Sequence, residues 1–506
     1  MAPHPAAAAR PAPPGAGPAR RDAQVLVVGA GPVGLLLAGE LARAGVDVVV
    51  LERRKTPSTE SRASTLHART MEILDARGLL PALGAPPNEP RGHFGGLPLG
   101  LNLPGAHPGQ WKTPQTKTEA VLQQWALSHG ADVRRGRELV AVAQTGAHVE
   151  AEALAEDGVL RLRAAYLVAC DGEDSTVRRL TGADFPGRDA GRELLRADVA
   201  GVEIPDRRFQ RLERGLAVAW RNDRGVTRVM VHEFGAPARP RTADVSFEEV
   251  AAAWKRVTAE DLSGGRPLWA NSFGDASRQL ASYRHGRVLF AGDAAHRQMP
   301  VGGQALNLGL QDAFNLGWKL ALTVHGLAPD SLLDTYHEER HAVGRRVLTN
   351  IGAQTLLLLG GPEVEPLRAL MGELTALEEA RAHLAGTISA LDVRYPAPGP
   401  PHPLLGARLP HTLVRSAGGE RAATAALLRA PGGLLLDLAG TGVRTPAGWA
   451  DRVTAVAGDP EPGTLPGEPA ALLVRPDGHV AWTGRDEEGL AQALERWFGP
   501  ARPPTP

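Results

Sequence analysis

Gln24 to Val28 is a short apolar run that stops at glycines and passes directly into a segment, Leu35 to Ala44, in which Glu40 and Arg43 fall between apolar neighbours at helical spacing. Val46 to Leu51 reads as a second buried strand. Strand, glycine turn, helix and strand in this order predict the opening of a doubly wound α/β (Rossmann-like) domain with a parallel sheet. From about Pro186 to Tyr283 the pattern changes. Gly215 to Trp220 and Val226 to Glu233, separated by the turn-forming Asn222-Asp223-Arg224-Gly225, predict a mostly antiparallel β-sheet. The apolar run Arg287 to Phe290 is a further strand, and from near Asn307 a helix carries Leu310, Phe314, Trp318 and Leu322 on one face. The first fold resumes there, so the antiparallel sheet is an insertion within it.

Pro396 to Pro403 reads as a linker into a C-terminal unit. That unit holds a strand at Leu434 to Leu438, a hairpin around Pro476-Asp477-Gly478, and a last helix with Leu490, Leu494 and Trp497 on one face. The expected organisation is a disordered tail over 1–20, a nucleotide-binding domain in two parts (21–185 and 286–395, the second with added helices), a substrate-binding β-sheet domain at 186–285, a linker at 396–403 and the C-terminal unit at 404–506.

Bulk properties narrow the function classes. At 506 residues the chain is too long for a single core of ordinary size and has volume for a buried cofactor. With 56 basic and 56 acidic residues it has no net charge to draw it to nucleic acid or a membrane surface. The single cysteine, Cys170, excludes an intrachain disulfide and any CxxC metal or redox pair, which fits a reducing cytoplasm. The prolines of the first twenty residues forbid the apolar helix of a signal peptide, and no run of about 18 apolar residues occurs elsewhere. A cytoplasmic protein is expected.

The glycine segment carries the first chemistry. In Gly29-Ala30-Gly31-Pro32-Val33-Gly34 the first glycine permits a tight turn, the second lets the backbone approach a pyrophosphate, and the third allows close helix–strand packing. Glu52 ends the second strand, where a carboxylate can accept both ribose hydroxyls of an adenosine and would repel a 2′-phosphate. FAD or NAD is therefore preferred over NADP at this position. Far downstream stand Cys170-Asp171-Gly172 with Ser175-Thr176-Val177-Arg178, and Gly292-Asp293-Ala294-Ala295-His296 with Pro300-Val301-Gly302-Gly303-Gln304. Asp293, in a strand-to-helix turn, can bond a ribityl hydroxyl, while Gly302 and Gly303 let backbone amides approach a flavin ring.

These last segments resemble the DG and GD motifs of the single-component flavoprotein aromatic hydroxylases, the para-hydroxybenzoate hydroxylase-like family. The resemblance covers nearly the whole chain. Glu60-Ser61-Arg62, His67-Ala68-Arg69-Thr70-Met71-Glu72, Gly92-His93-Phe94-Gly95-Gly96-Leu97-Pro98 and Trp318-Lys319-Leu320 narrow it to bacterial enzymes that tailor aromatic polyketides such as angucyclines and anthracyclines. It implies that Arg62 lies beside the flavin and that Gln115 contacts the ribityl chain. The cofactor set it implies further includes Arg53, Asp171, Pro300 and Asn307. The C-terminal unit resembles the thioredoxin-like domain of phenol hydroxylase and its polyketide relatives, with Leu472 to Gly478 as the clearest match. Having no cysteine, it cannot do thiol–disulfide chemistry, which leaves packing or a homodimer contact.

The resemblance implies a reaction in which NADPH reduces FAD, O2 adds at flavin C4a, and the hydroperoxide transfers one oxygen atom to an electron-rich ring of a small aromatic polyketide. No acid–base triad is then required. His296 is the one candidate general base, against a structural role at its turn. Trp220 and His232 on the inserted sheet are candidates to face substrate, each able to face either way. The family's GGQG reads Gly302-Gly303-Gln304-Ala305 here, which adds a methyl group near the expected flavin ring. Baeyer–Villiger oxygenation of a polyketide ketone, an oxygen-independent flavin reductase or dehydrogenase, and a non-catalytic dinucleotide-binding protein are the alternatives.

Overall fold

Val25–Val28 is buried along its whole length because it lies in the middle of a parallel sheet covered on both faces. The computed structural model describes residues 22–59, 63–156, 158–239, 241 and 245–502. The tail expected over 1–20 and the Glu60-Ser61-Arg62 segment lie outside the described residues. Across the main sheet the strands run in the order Arg284–His285, Val288–Phe290, Tyr166–Ala169, Val25–Val28, Val48–Glu52 and Asp132–Arg135. All neighbours are parallel except the edge pair Arg284–His285 with Val288–Phe290. The strand Val288–Phe290 completes the sheet after the insertion, as the sequence pattern predicts.

The inserted sheet is antiparallel throughout, in the order Arg207–Leu212, Gly215–Arg221, Val226–Glu233, Glu193–Ala200 and Arg266–Gly274. Its period of two divides the side chains cleanly. Ala217, Ala219, Val229, Val231 and Ala197 pack under the helix Phe247–Thr258, around the fully buried Trp254. Leu194, Leu216 and Val218 face the other way, onto Met299, Val301 and Leu308. A second small antiparallel sheet, Glu138–Gln144, Val149–Ala155 and Gly158–Ala164, is inserted within the first half of the nucleotide-binding domain, where the sequence reading has no element.

Two long helices, Gln304–Val324 and Asp334–Leu359, carry the chain from the nucleotide-binding sheet to the C-terminal unit. In that unit the strand order is Val453–Ala457, Gly433–Asp437, Ala471–Val474 and Val480–Thr483, the first pair parallel and the others antiparallel. The closing helix Glu487–Phe498 buries Leu490, Leu494 and Trp497, as its spacing predicts.

The stretch expected to act as a linker is no tether. Its ends are pinned, with Arg394 bridged to Ala407 and the Tyr395 N–H donating to Gly406 O at 2.9 Å. One apolar cluster joins Trp318 and Leu332 to Leu473, Trp482, Trp497 and Phe498, so the C-terminal unit shares a core with the rest of the chain. Among the described residues no helix is long and apolar enough to cross a membrane.

Candidate active site

Four of the predicted segments meet at one edge. Gly29 follows the strand Val25–Val28, Glu52 ends the next strand, Asp171 follows Tyr166–Ala169, and Gly292-Asp293 follow Val288–Phe290. These are carboxyl ends of four adjacent parallel strands, the position where open α/β sheets bind their ligands.

The three glycines of the first loop have separate jobs. Gly29 adopts φ +104°, and a Cβ there would collide with the Cys170 carbonyl; a Cβ on Gly34 would collide with Gly29 O. Gly31 differs. A Cβ on it would meet nothing within 4 Å, so the backbone there borders open space at the start of the helix Pro32–Arg43. Pro32 occupies the first helical position and no side chain caps this helix, leaving its first amides and the positive end of its dipole for an anion. Glu52 is half-buried beside the loop. Its Oε2 accepts the Ala30 N–H at 2.8 Å and its Oε1 accepts the Arg54 N–H at 2.9 Å, so the carboxylate also shapes the loop it serves. Arg53, next to it, is exposed.

Asp171 Oδ2 accepts the Val177 N–H at 3.1 Å, while Oδ1 is enclosed without a protein partner; burial raises its pKa. Gln115 opens the helix Gln115–Ser128, with Nε2 donating to Glu119 at 2.8 Å and Oε1 accepting the Ala63 N–H at 3.2 Å. Asp293 is exposed at its turn, as is Pro300 at the next one. Gly302 and Gly303 both take φ +67°, a consecutive left-handed pair that would strain any residue with a side chain. Ala305 sits half-buried in the first turn of the helix Gln304–Val324.

Asn307 holds this turn and does not border the open groove. Its side chain is buried, accepting the His67 N–H at 2.8 Å and the Thr70 hydroxyl at 2.7 Å, and donating to Thr65 O at 3.0 Å and Gly303 O at 2.7 Å. With both lone pairs and both N–H groups engaged, the side chain supports the site and has no polar atom left for a cofactor. Any contact with a cofactor would fall to its backbone. His67 completes the support, its Nε2–H donating to Gly302 O at 2.8 Å; burial pushes this histidine down to about 4, so it is neutral near pH 7.

The role expected of His296 is corrected. It is fully buried behind the Gly292–Ala294 turn, with Nε2–H donating to Asp312 Oδ2 at 2.8 Å, and cannot reach a substrate as a base. The same Asp312 oxygen accepts the Gly292 N–H at 3.1 Å, and its other oxygen accepts from Arg340 Nε at 2.7 Å. Arg340 thus holds Asp312 ionised and its pKa below the ordinary value. His232 likewise has no free group. Its two nitrogens lie 2.8 Å from Glu193 O and 3.1 Å from Leu359 O, pinning the sheet to the end of the helix Asp334–Leu359. Trp220 shares the face of Val218 that looks toward the Val301 turn, but at its outer end, 41% exposed, with Arg228 over its ring at 5.5 Å. On the same face stand Met230, Arg196, Asn271 and Phe273, none picked out by the sequence reading, although their alternation with His232 was available as a signal. Two small pockets, about 30 and 10 Å³, lie where Arg69 meets Asp477, away from these turns.

Comparison with known proteins adds what geometry alone leaves open. Residues 22–351 match the FAD binding domain family model and residues 402–501 the aromatic-ring hydroxylase C-terminal family. The chain belongs to the FAD-dependent aromatic-ring hydroxylases. It is accordingly an FAD-dependent monooxygenase. This hydroxylase is 42% identical to the 12-dehydrotetracycline 5-monooxygenase/anhydrotetracycline 6-monooxygenase of Streptomyces rimosus subsp. rimosus, over 94% of this chain and 99% of that protein. It superposes on the crystal structure of CabE, an aromatic hydroxylase from angucycline biosynthesis, with a TM-score of 0.90 at 48% identity, covering 95% of this chain and all of that one. It is also 41% identical, over 94% of this chain and 99% of the relative, to a dialkyldecalin synthase of Streptomyces rugosporus.

The groove fits the cofactor. Open space at Gly31, a carboxylate at the end of the second strand, an enclosed unpaired oxygen on Asp171 and a left-handed glycine pair are what a dinucleotide with a bulky ring system requires.

Proposed function

We propose that this hydroxylase uses NADPH and dioxygen to hydroxylate an electron-rich ring of an aromatic polyketide, as a step in making an antibiotic. The observation that carries this reading is the opposition of two surfaces: the carboxyl edge of the parallel sheet, and the half-buried apolar and aromatic face of the inserted sheet around Met230 and Phe273. The names of the Streptomyces rimosus relative and of CabE support the substrate class.

FAD, when bound, supplies the redox chemistry: two electrons from NADPH and the delivery of one oxygen atom from O2. The protein's part is binding, orientation and exclusion of water. Glu52 takes the adenosine ribose, with Arg53 beside it. The free amides at Gly31 take the pyrophosphate, and Asp293 takes the ribityl chain with Gln115 and Asp171 nearby. Pro300, Gly302 and Gly303 line the ring. Met299, Val301 and Val218 form an apolar wall beside that turn, which keeps water from the reacting oxygen and limits its loss as H2O2. Trp220 borders the outer mouth. The C-terminal unit we read as thioredoxin-like, on its strand order and closing helix; without a cysteine it acts through packing.

The match to a dialkyldecalin synthase gives a second reading, ring formation on the same scaffold. Incubation with NADPH, anhydrotetracycline and 18O2 separates the two. Hydroxylation gives a product heavier by one labelled oxygen and consumes O2 in proportion. An unlabelled product, or turnover without O2, overturns the proposal.

A further inference from the structure

The strands Arg91–Phe94 and Leu97–Gly100 form a hairpin closed by Gly95 and Gly96, whose φ values of +56° and +84° are those of a tight two-residue turn. This hairpin abuts the Val301–Gly303 turn. Gln354 fixes the two together: its Oε1 accepts the Gly95 N–H at 3.3 Å, and a Cβ on Gly302 would stand 3.1 Å from the same oxygen. At the base of the hairpin turn, the Gly96 N–H donates to His93 Nδ1 at 3.2 Å. Accepting that bond leaves the neutral ring its proton on Nε2.

The His93 ring packs against Phe209, with centroids 4.3 Å apart at 52°. Phe209 has φ +50°, a conformation non-glycine residues avoid and one that persists where surroundings impose it. Among the described residues Nε2 makes no hydrogen bond to protein, and it does not belong to the enclosed atoms that lack a partner, so on this half-buried ring it is not fully sealed off. Burial, with Arg208, Lys112 and His67 nearby, pushes His93 down to about 4, so the ring donates as a neutral group across the physiological range.

We propose that His93 is a substrate-orienting hydrogen-bond donor whose Nε2–H grips a phenolic, enolic or carbonyl oxygen of the polycyclic substrate beside the Gly302-Gly303 turn. The inference rests on the polyketide reading above. A donor of fixed tautomer, with the cationic Lys112 and Arg208 nearby, selects an oxygen bearing partial negative charge over an apolar edge. The bond holds one orientation of a flat molecule that stacking alone would leave free to slide.

The test uses full-length, FAD-loaded protein and anhydrotetracycline as the probe, titrated by the change in flavin absorbance. H93F keeps a ring against Phe209 and removes the donor; H93Q restores an N–H near the Nε2 position. Expected is a three- to tenfold weaker Kd for H93F. A smaller fraction of NADPH oxidation should yield product, FAD content should stay unchanged, the thermal midpoint should fall only slightly through loss of the Gly96 N–H bond, and H93Q should recover most of the affinity. H93L replaces H93F if the latter fails to load FAD. Unchanged affinity and coupling on losing the donor, or H93Q as impaired as H93F, would overturn the assignment. Failure of the wild type to bind the probe overturns the substrate reading, and the assignment with it.

Discussion

Glu339 and Arg340 are consecutive residues on one helix and anchor different parts of the molecule. Arg340 donates to Asp312 at 2.7 Å, and Asp312 in turn holds the Gly292 turn. Glu339 accepts Lys319 Nζ at 2.7 Å and Arg475 Nη2 at 2.9 Å, and Arg475 also pairs with Asp477 in the C-terminal hairpin. The two sets touch through Tyr395, whose hydroxyl accepts from Arg340 at 3.0 Å while its ring lies 5.1 Å beneath the Arg475 guanidinium. One turn of helix therefore fixes both the Gly292 turn and the C-terminal unit.

Replacing Arg475 by Met should be severe. It leaves the buried Glu339 and Asp477 short of a cation, and breaking such a set typically costs about 3–5 kcal/mol. Urea denaturation of R475M should show that loss, and R475M/E339L should recover part of it. Truncation near Pro401 removes the same partners, together with the Leu428 and Pro476 carbonyls that accept from Arg77. The expected outcome is poor solubility or a low thermal midpoint, with the groups proposed to bind FAD still in the chain. A truncated protein as stable as the whole would contradict this account.

Flavin retention should depend separately on both ends of the groove. Glu52→Ala and Asp293→Ala each remove a charged hydrogen-bonding group, a loss of about 1.5–3 kcal/mol, or about ten- to a hundredfold in affinity. Fluorescence titration of FAD into the two apoproteins measures it. If both bind as tightly as wild type, the placement of the cofactor is wrong.

Asn307→Ala should act on the turn and only indirectly on the ligand. It strips partners from the His67 N–H, Thr65 O and Gly303 O in a buried position. A drop in stability of about 2 kcal/mol or more is expected, accompanied by weaker FAD binding that saturating FAD restores. A variant with full stability and lost binding would point to direct contact with the cofactor.

The interface carries an acid limit. Glu339 is held down to about 2 by Arg475 and Lys319, below its ordinary 4.5. A depressed carboxyl contributes stability that is complete above its unfolded value and is lost as pH falls through the folded one. The window is therefore about pH 4.5 to 2, and a shift of that size corresponds to about 3 kcal/mol. Stability of E339Q should be lower at neutral pH and fall less steeply across that window than wild type. Parallel slopes would remove Glu339 from the account.

The sequence discloses the nucleotide loop, Glu52 and the Gly292-Asp293 turn because each is local: a strand end, a turn and the start of a helix within a few residues. It discloses the two faces of the inserted sheet only as alternation, without saying which is covered; that choice is made by the helix Phe247–Thr258 packing on one side. His296 and His232 look like chemistry in sequence, yet their partners, Asp312 and Leu359 O, come from helices elsewhere in the chain. The charged set Asp312, Lys319, Glu339, Arg340 and Arg475 has one visible trace, ionisable residues lying within apolar helical faces or a buried hairpin. Which pairs with which depends on the packing of three separate elements.

Arg475 lies 136 residues after Glu339 along the chain. Until the C-terminal unit is in place, Glu339, Asn315 and Trp318 lack partners that the finished protein supplies, and part of the apolar cluster around Trp318 has no opposite wall. The two long helices thus wait on the C-terminal unit for their final packing, although the glycine loop and its strands are complete hundreds of residues earlier. A chain that stops short of the C-terminal hairpin therefore keeps every residue proposed to hold the cofactor, while the helices behind the Gly292 turn lack the wall they pack against.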